Sequence, residues 1–143
     1  VSTEEEQFHQ RARFRRLWEA GVPFQRLCGL RVARWDPEQV VLELPFSEQL
    51  CAHKGVFHGG VVSALADMAG AGAVMAGHDF NLGTRPFTLA LAVHFCAVAP
   101  GEDLVAEASC TKRGRANFAA VVIKSRSGMP LAHGLVTVAV TAR

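Results

Sequence analysis

Between Lys54 and Asp79 the sequence holds one acidic side chain, Asp67, in a run of Ala, Val, Leu, Met and Gly that opens with His58-Gly59-Gly60. A lone carboxylate in apolar surroundings is costly unless it is paired or used, which makes Asp67 the first candidate for chemistry. The glycines offer a complementary half. If a helix starts there, its first backbone N–H groups lack partners within the helix and sit at the positive end of its dipole. Such donors stabilise a negative oxygen developing on a carbonyl, and glycine lets that carbonyl approach without meeting a Cβ. Gly59 is therefore a candidate oxyanion donor, and Asp67 a candidate nucleophile or general base.

The elements that must position these groups follow from the pattern around them. No Pro interrupts Gly59 to Met75, and a continuous apolar run of this length predicts a helix buried on nearly all sides, ending near Gly77. Gly70 and Gly72 each cost such a helix about 1 kcal/mol relative to Ala, so close backbone approach is expected at both. Gly59 and Asp67, eight residues apart, lie about 12 Å from each other along one helix. They cannot touch the same carbonyl, so a second copy of the chain must bring its Asp67 to Gly59. The expectation is a dimer with two equivalent sites.

Thr3 and Glu6 fit a capping box for a helix over residues 3–20, stopped by Gly21 and Pro23. Residues 27–35 and 39–44 read as strands joined at Asp36-Pro37, and 45–57 as a loop leading to the central helix. After a polar loop, residues 86–99 alternate, with Phe87, Leu89, Leu91, Val93 and Phe95 on one face and Thr88, Ala90, Ala92, His94 and Cys96 on the other. Strands over 104–111, 117–125 and 131–141 complete four in series, separated by Pro100-Gly101, Arg113-Gly114-Arg115 and Ser127-Gly128, which predicts an antiparallel meander. The fold class is α+β: a curved sheet around one long helix, as a domain over 25–143 with an N-terminal helical extension over 1–24.

At 143 residues, 50% hydrophobic and 20% charged, the chain is one globular domain with room for a core. A formal charge of +2 gives no mandate for nucleic acid or an anionic membrane surface as partner. Arg11, Arg13, Arg15 and Arg16 are flanked by Glu4, Glu5, Glu6 and Glu19 and read as a solvated helix face. Cys28, Cys51, Cys96 and Cys110 form no C-x-x-C pair, and nothing before them resembles a secretory signal, so reduced thiols in a cytoplasmic protein are expected. The six histidines are scattered and none shares metal-ligand spacing with a Cys, so no metal site is expected. Asp67 would cost about 2.5–3.5 kcal/mol at the centre of a membrane span, which argues against reading the apolar helix as one.

The pattern G-x-x-H-G-G-x-x-x-x-L-x-D, here Gly55, His58, Gly59, Gly60, Leu65 and Asp67, resembles the hotdog-fold thioesterases. The closest branch is the phenylacetyl-CoA thioesterase type, and the resemblance covers about residues 25–140. It implies a hotdog fold of about five to six strands and hydrolysis of an acyl-CoA thioester to a free acid and CoA. It further implies no cofactor, and a homodimer that pairs into a homotetramer. By the same resemblance, the oxyanion donor is Gly59, the acid is Asp67, and Thr88 is the hydroxyl that orients the attacking water. His58 fixes the loop through its ring or shuttles a proton. Ser63 is small and packed, or bonds the carboxylate, and with Gly60 it is placed at the substrate. Arg113 and Arg115, otherwise a solvated turn, would meet the phosphates of coenzyme A, for which forked donors are suited. One position departs from the family: the Asn or Gln six residues before the His is Ala52, with His53 beside it as a substitute. Two rival readings follow. A hotdog dehydratase or hydratase would carry an F-P-x-x-P-G signature at the helix start, which is absent; a non-catalytic acyl-CoA binder would accommodate Ala52.

Overall fold

The computed structural model describes residues 1–142. Its first helix, α1 (Glu4–Arg16), opens with the expected capping box: the Thr3 hydroxyl accepts from the Glu6 N–H at 3.2 Å, and the Glu6 carboxylate accepts from the Thr3 N–H at 2.9 Å. A π-turn over Leu17–Gly21 continues it, and a second helix, α2 (Pro23–Cys28), follows. Where the pattern suggests a strand from Leu27, Pro23 at the first helical turn and Gly29 in the left-handed region, at φ 72°, frame a helix instead. Strand β1 is confined to Arg31–Trp35 and pairs antiparallel with β2 (Val40–Leu44). The expected loop before the central helix contains a small hairpin, β3 (Cys51–His53) and β4 (Val56–Phe57), turned by Gly55 at φ 73°.

The apolar run forms α3 (Gly59–Ala76), buried almost continuously from Leu65 to Ala76. It is long and apolar enough to cross a membrane by length and composition, yet 67% of it is buried within the protein. Both interior glycines admit the close approach expected of them. A Cβ at Gly70 would run into the Val136 side chain, and one at Gly72 would lie 3.1 Å from Trp35 and 3.2 Å from Trp18 Nε1. The Trp18 ring in turn donates to the Met68 carbonyl at 2.9 Å, tying the N-terminal segment to α3.

Strands β5 (Arg85–Phe95), β6 (Leu104–Lys112), β7 (Asn117–Ser125) and β8 (Pro130–Thr141) follow. All pairings in the six-stranded sheet are antiparallel, in the order β1-β2-β6-β7-β8-β5. Strands β6, β7 and β8 form the expected meander. β5 does not join it at β6: residues 96–103, too long for a tight hairpin, carry the chain past two strands, and β5 pairs with β8 at the far edge.

The face assignment of β5 also needs correction. A bulge between Thr88 and Ala90 leaves Leu89 without a partner on β8. Paired residues share a face, so Thr88 (opposite Val138), Leu91 (opposite Val136), Val93 (opposite Gly134) and Phe95 (opposite Ala132) all look toward α3. Phe87, Ala90, Ala92 and His94 look outward. One unpaired residue shifts the alternation by a step, and the sequence pattern does not reveal it.

Candidate functional site

The start of α3 is organised by His58. Its backbone N–H donates to the Leu50 carbonyl at 2.9 Å, fixing the preceding loop, and its Nδ1 accepts from the Gly60 N–H at 2.8 Å as a side-chain cap. The His58 carbonyl takes the N–H groups of Val61 and Val62 at 2.9 and 3.1 Å. Of the first four helical donors, Gly59 N–H alone makes no hydrogen bond among the described residues. The two glycines therefore differ in what they are for. A Cβ at Gly60 would stand 2.9 Å from the His58 ring, so the cap itself requires glycine there. A Cβ at Gly59 would meet nothing nearer than the Phe95 ring at 3.7 Å, an ordinary contact, so the fold tolerates a side chain at that position.

Asp67 is half-buried, and its Oδ1 accepts from the Thr88 hydroxyl at 2.7 Å. Thr88 lies on the α3 side together with Leu91, across the bulge at Leu89. The Ser63 hydroxyl donates to the Gly59 carbonyl at 2.9 Å, one turn back, and so anchors the helix start; the alternative bond to the carboxylate is not made. Gly59, Ser63 and Asp67 recur every four residues and form an accessible line on an otherwise buried helix. This line borders β5, where Phe87, Leu89, Leu91 and Phe95 are exposed.

Two clefts lie at opposite ends of α3. Beside Gly59 is an apolar one of about 210 Å³, lined by Phe57, Val62, Phe95, Ala99 and Leu131 among others. At the other end, a cleft of about 570 Å³ is bounded by His78, Asp79, Arg113, Arg115 and Asn117. The two arginines of this turn are differently engaged. Arg113 Nη1 donates to the Val74 carbonyl at 2.9 Å, where cationic donors favour the negative end of the helix dipole. Arg115 is exposed and makes no hydrogen bond or ion pair among the described residues. Asn117, which the sequence reading passed over, shapes the turn: its Oδ1 accepts from Gly114 N–H at 3.3 Å and its Nδ2 donates to Val138 O at 3.0 Å. The one advance sign of it was a polar side chain just before the apolar run Phe118–Ile123. Buried His78 lies beneath the turn, its Nε2 3.1 Å from the Gly83 carbonyl. Burial holds its pKa below the usual histidine range, against the pull of that carbonyl; the nearby charge of Arg113 lowers it further. His53 and Ala52 are exposed on β3, and the His53 side chain makes no hydrogen bond among the described residues.

Residues 54–128 match the family model described as the thioesterase superfamily. Among solved structures, a thioesterase-superfamily-related protein of Shewanella oneidensis superposes with a TM-score of 0.87 at 22% identity, covering 97% of this chain and 99% of its own. A thioesterase family protein of Silicibacter pomeroyi gives 0.83 at 23% identity, covering 94% and 98% respectively. A hypothetical thioesterase of Streptococcus pneumoniae, whose crystal structure includes coenzyme A, gives 0.66 at 19% identity over 78% and 85%. At these identities the structures speak for the fold. No curated protein matches the chain.

Proposed function

The chain belongs to the thioesterase superfamily, and from that premise we propose that it hydrolyses an acyl-CoA to a free acid and CoA at a site shared between two copies. The observation that carries the reading is the unpaired Gly59 N–H, on the same helix line as the Thr88-bonded carboxylate of Asp67. Their separation of about 12 Å is too long for one thioester carbonyl, and pairing of two β5 edges would bring each Asp67 to the Gly59 of the other copy. In this mechanism the Gly59 N–H and the helix dipole stabilise the oxyanion as it forms. Asp67 attacks the carbonyl carbon or takes a proton from the attacking water. Thr88 donates to the carboxylate oxygen that does not react and so aims the other one. His58, with Nδ1 engaged in the cap, holds the donor loop in place. The acyl group enters the apolar cleft beside Gly59.

The coenzyme runs the other way. Gly77 lies about 15 Å from Asp67 along α3, a span suited to an extended pantetheine arm, and Arg115 beyond it would meet the phosphates. The coenzyme A in the Streptococcus pneumoniae structure is consistent with this ligand class. Phe87, Phe118 and Leu135, exposed on the outer sheet face, offer a surface on which two dimers could pair.

A thiol-release assay over a panel of acyl-CoA esters tests the reading. Wild type should release CoA, and Asp67→Asn, which keeps shape and removes charge, should lower kcat about 10²-fold or more in a folded protein. Binding without turnover would support a non-catalytic binder, and water addition to an enoyl ester would support a hydratase. A well-folded Asp67→Asn protein with most of its activity would remove Asp67 from the mechanism.

A further inference from the structure

Resting on the thioesterase reading, we infer that Phe95 is the adjustable wall of the acyl cleft and sets the size of acyl group the enzyme accepts. One wall of the cleft beside Gly59 is held in the core. Val62, Leu131 and Ala99 belong to the core and are buried. Phe57 is buried too, and its ring is fixed edge-to-face on Phe46, with centroids 5.5 Å apart at 87°. Phe95 is different. It is 55% exposed, makes no ring contact among the described residues, and lies with its ring edge 3.7 Å from the Cβ position of Gly59.

Three features combine to place this ring on the path of the acyl chain. The bulge at Leu89 turns Phe95, with Leu91 and Val93, toward α3. Opposite it on β8 stands Ala132, and Ala97 and Ala99 follow it, so small residues surround the ring and leave it room to swing. The N–H of Gly59 is also the group that would hold the thioester oxygen. A chain leaving that carbonyl therefore meets the Phe95 ring within its first few carbons. Val98 shares the solvent side of the cleft, but the ring of Phe95 is the group that lies against Gly59.

The volume indicates which side of the limit each acyl group falls on. An engineered apolar cavity of about 150 Å³ holds one benzene ring; the cleft here, at about 210 Å³, takes a group only slightly larger. With the ring in place, compact acyl groups are accommodated and long chains are not. Removing the ring lengthens the cleft along β5, toward the surface that the second copy would cover. Enlarging it closes even the compact case.

The experiment is a profile of kcat/KM over straight-chain esters from acetyl-CoA to palmitoyl-CoA, with compact aryl and branched acyl-CoA esters beside them, for wild type, Phe95→Ala, Phe95→Leu and Phe95→Trp. Folding is checked by circular dichroism. Phe95→Ala should raise kcat/KM for long chains at least about tenfold relative to short ones, with Phe95→Leu intermediate. Phe95→Trp should depress compact aryl and branched substrates while sparing acetyl-CoA. A folded Phe95→Ala enzyme with the wild-type profile overturns the inference and leaves the thioesterase reading intact. If wild type turns over none of the panel, that reading fails, and the role of Phe95 is decided by calorimetric binding of non-hydrolysable alkyl-CoA thioethers. Discrimination by length that vanishes in Phe95→Ala supports it, and discrimination that persists refutes it.

Discussion

The two edges of the sheet are finished in opposite ways. At β1 the outward-facing backbone is taken up by the N-terminal segment: Glu19 accepts from the Val32 N–H, Arg15 donates to the Val32 carbonyl at 3.2 Å, and the Leu30 N–H reaches the Gln25 carbonyl at 3.0 Å. The charges on β1 are occupied as well, Arg31 with Glu43 and Asp103, and Arg34 with Asp36. At β5 the eleven-residue edge carries exposed Phe87, Leu89, Leu91 and Phe95, and none of the described residues covers it. An unpaired, apolar edge is a template for another strand, and native proteins cover or charge the edges they do not use. The contrast separates a boundary that keeps the sheet finite from one left open, which the proposed dimer would use, and Asp67, Thr88 and Gly59 all lie along the second.

The largest effect should come from spoiling the open edge. Leu91→Asp places a charge on the α3 side of β5, beside the line of site residues. Sedimentation should then show monomers, and activity should fall about 10²-fold or more, as for the loss of Asp67 itself. A monomer that still hydrolyses thioesters would break the two-copy site. Gly59→Ala sharpens the same side of the comparison. The added methyl meets no clash, so the helix should gain up to about 1 kcal/mol in urea unfolding, while turnover falls about tenfold or more because the methyl stands where the carbonyl must sit. A loss of stability in step with activity would mean that Gly59 serves the fold.

On the sealed edge the expected effects are on stability. Glu19→Ala leaves the Val32 N–H without its acceptor and should cost about 1–3 kcal/mol, read as a lower urea midpoint, with kcat unchanged. A matching fall in kcat would show that the two edges are coupled. The smallest effect concerns buried His78, which belongs to neither edge strand. Burial lowers its pKa from the free value of 6.5, so as the pH falls through that value the unfolded chain binds a proton that the native chain refuses. The stability that neutral His78 contributes is complete above about pH 6.5 and is lost below it. Thermal melts at about pH 8 and pH 5.5 should therefore separate more for wild type than for His78→Asn. Equal separations would assign the acid sensitivity to other groups.

Much of this was legible in the chain. The apolar run with one acid gave α3 and Asp67, Thr3 and Glu6 gave the start of α1, and the cost of Gly70 and Gly72 pointed to the close packing found at both. These are local or composition-driven signals. What escaped was set by partners distant in sequence. The order of the sheet, with β5 beside β8, depends on where a long connection lands, and which strand is left at the open edge follows from that order. Helix α2 is framed by Pro23 and Gly29, both visible, but its short length and the apolar Leu27-Cys28 that closes it look equally like the start of a strand. Arg113 and Arg115 are alike in sequence; only the Val74 carbonyl at the end of α3 tells them apart.

The unpaired Leu89 has a genetic consequence. The Thr88 hydroxyl faces α3 because Thr88 pairs with Val138, and Ala90 takes the very next partner, Thr137. Loss of the one codon for Leu89 would therefore leave both pairings in place and close the bulge to regular alternation. It would change no charge, keep Thr88 beside Asp67, and remove only an exposed apolar side chain from the open edge. A three-base deletion at this codon is thus expected to be milder than one inside the paired stretch that follows, where the face of each neighbouring residue depends on the count.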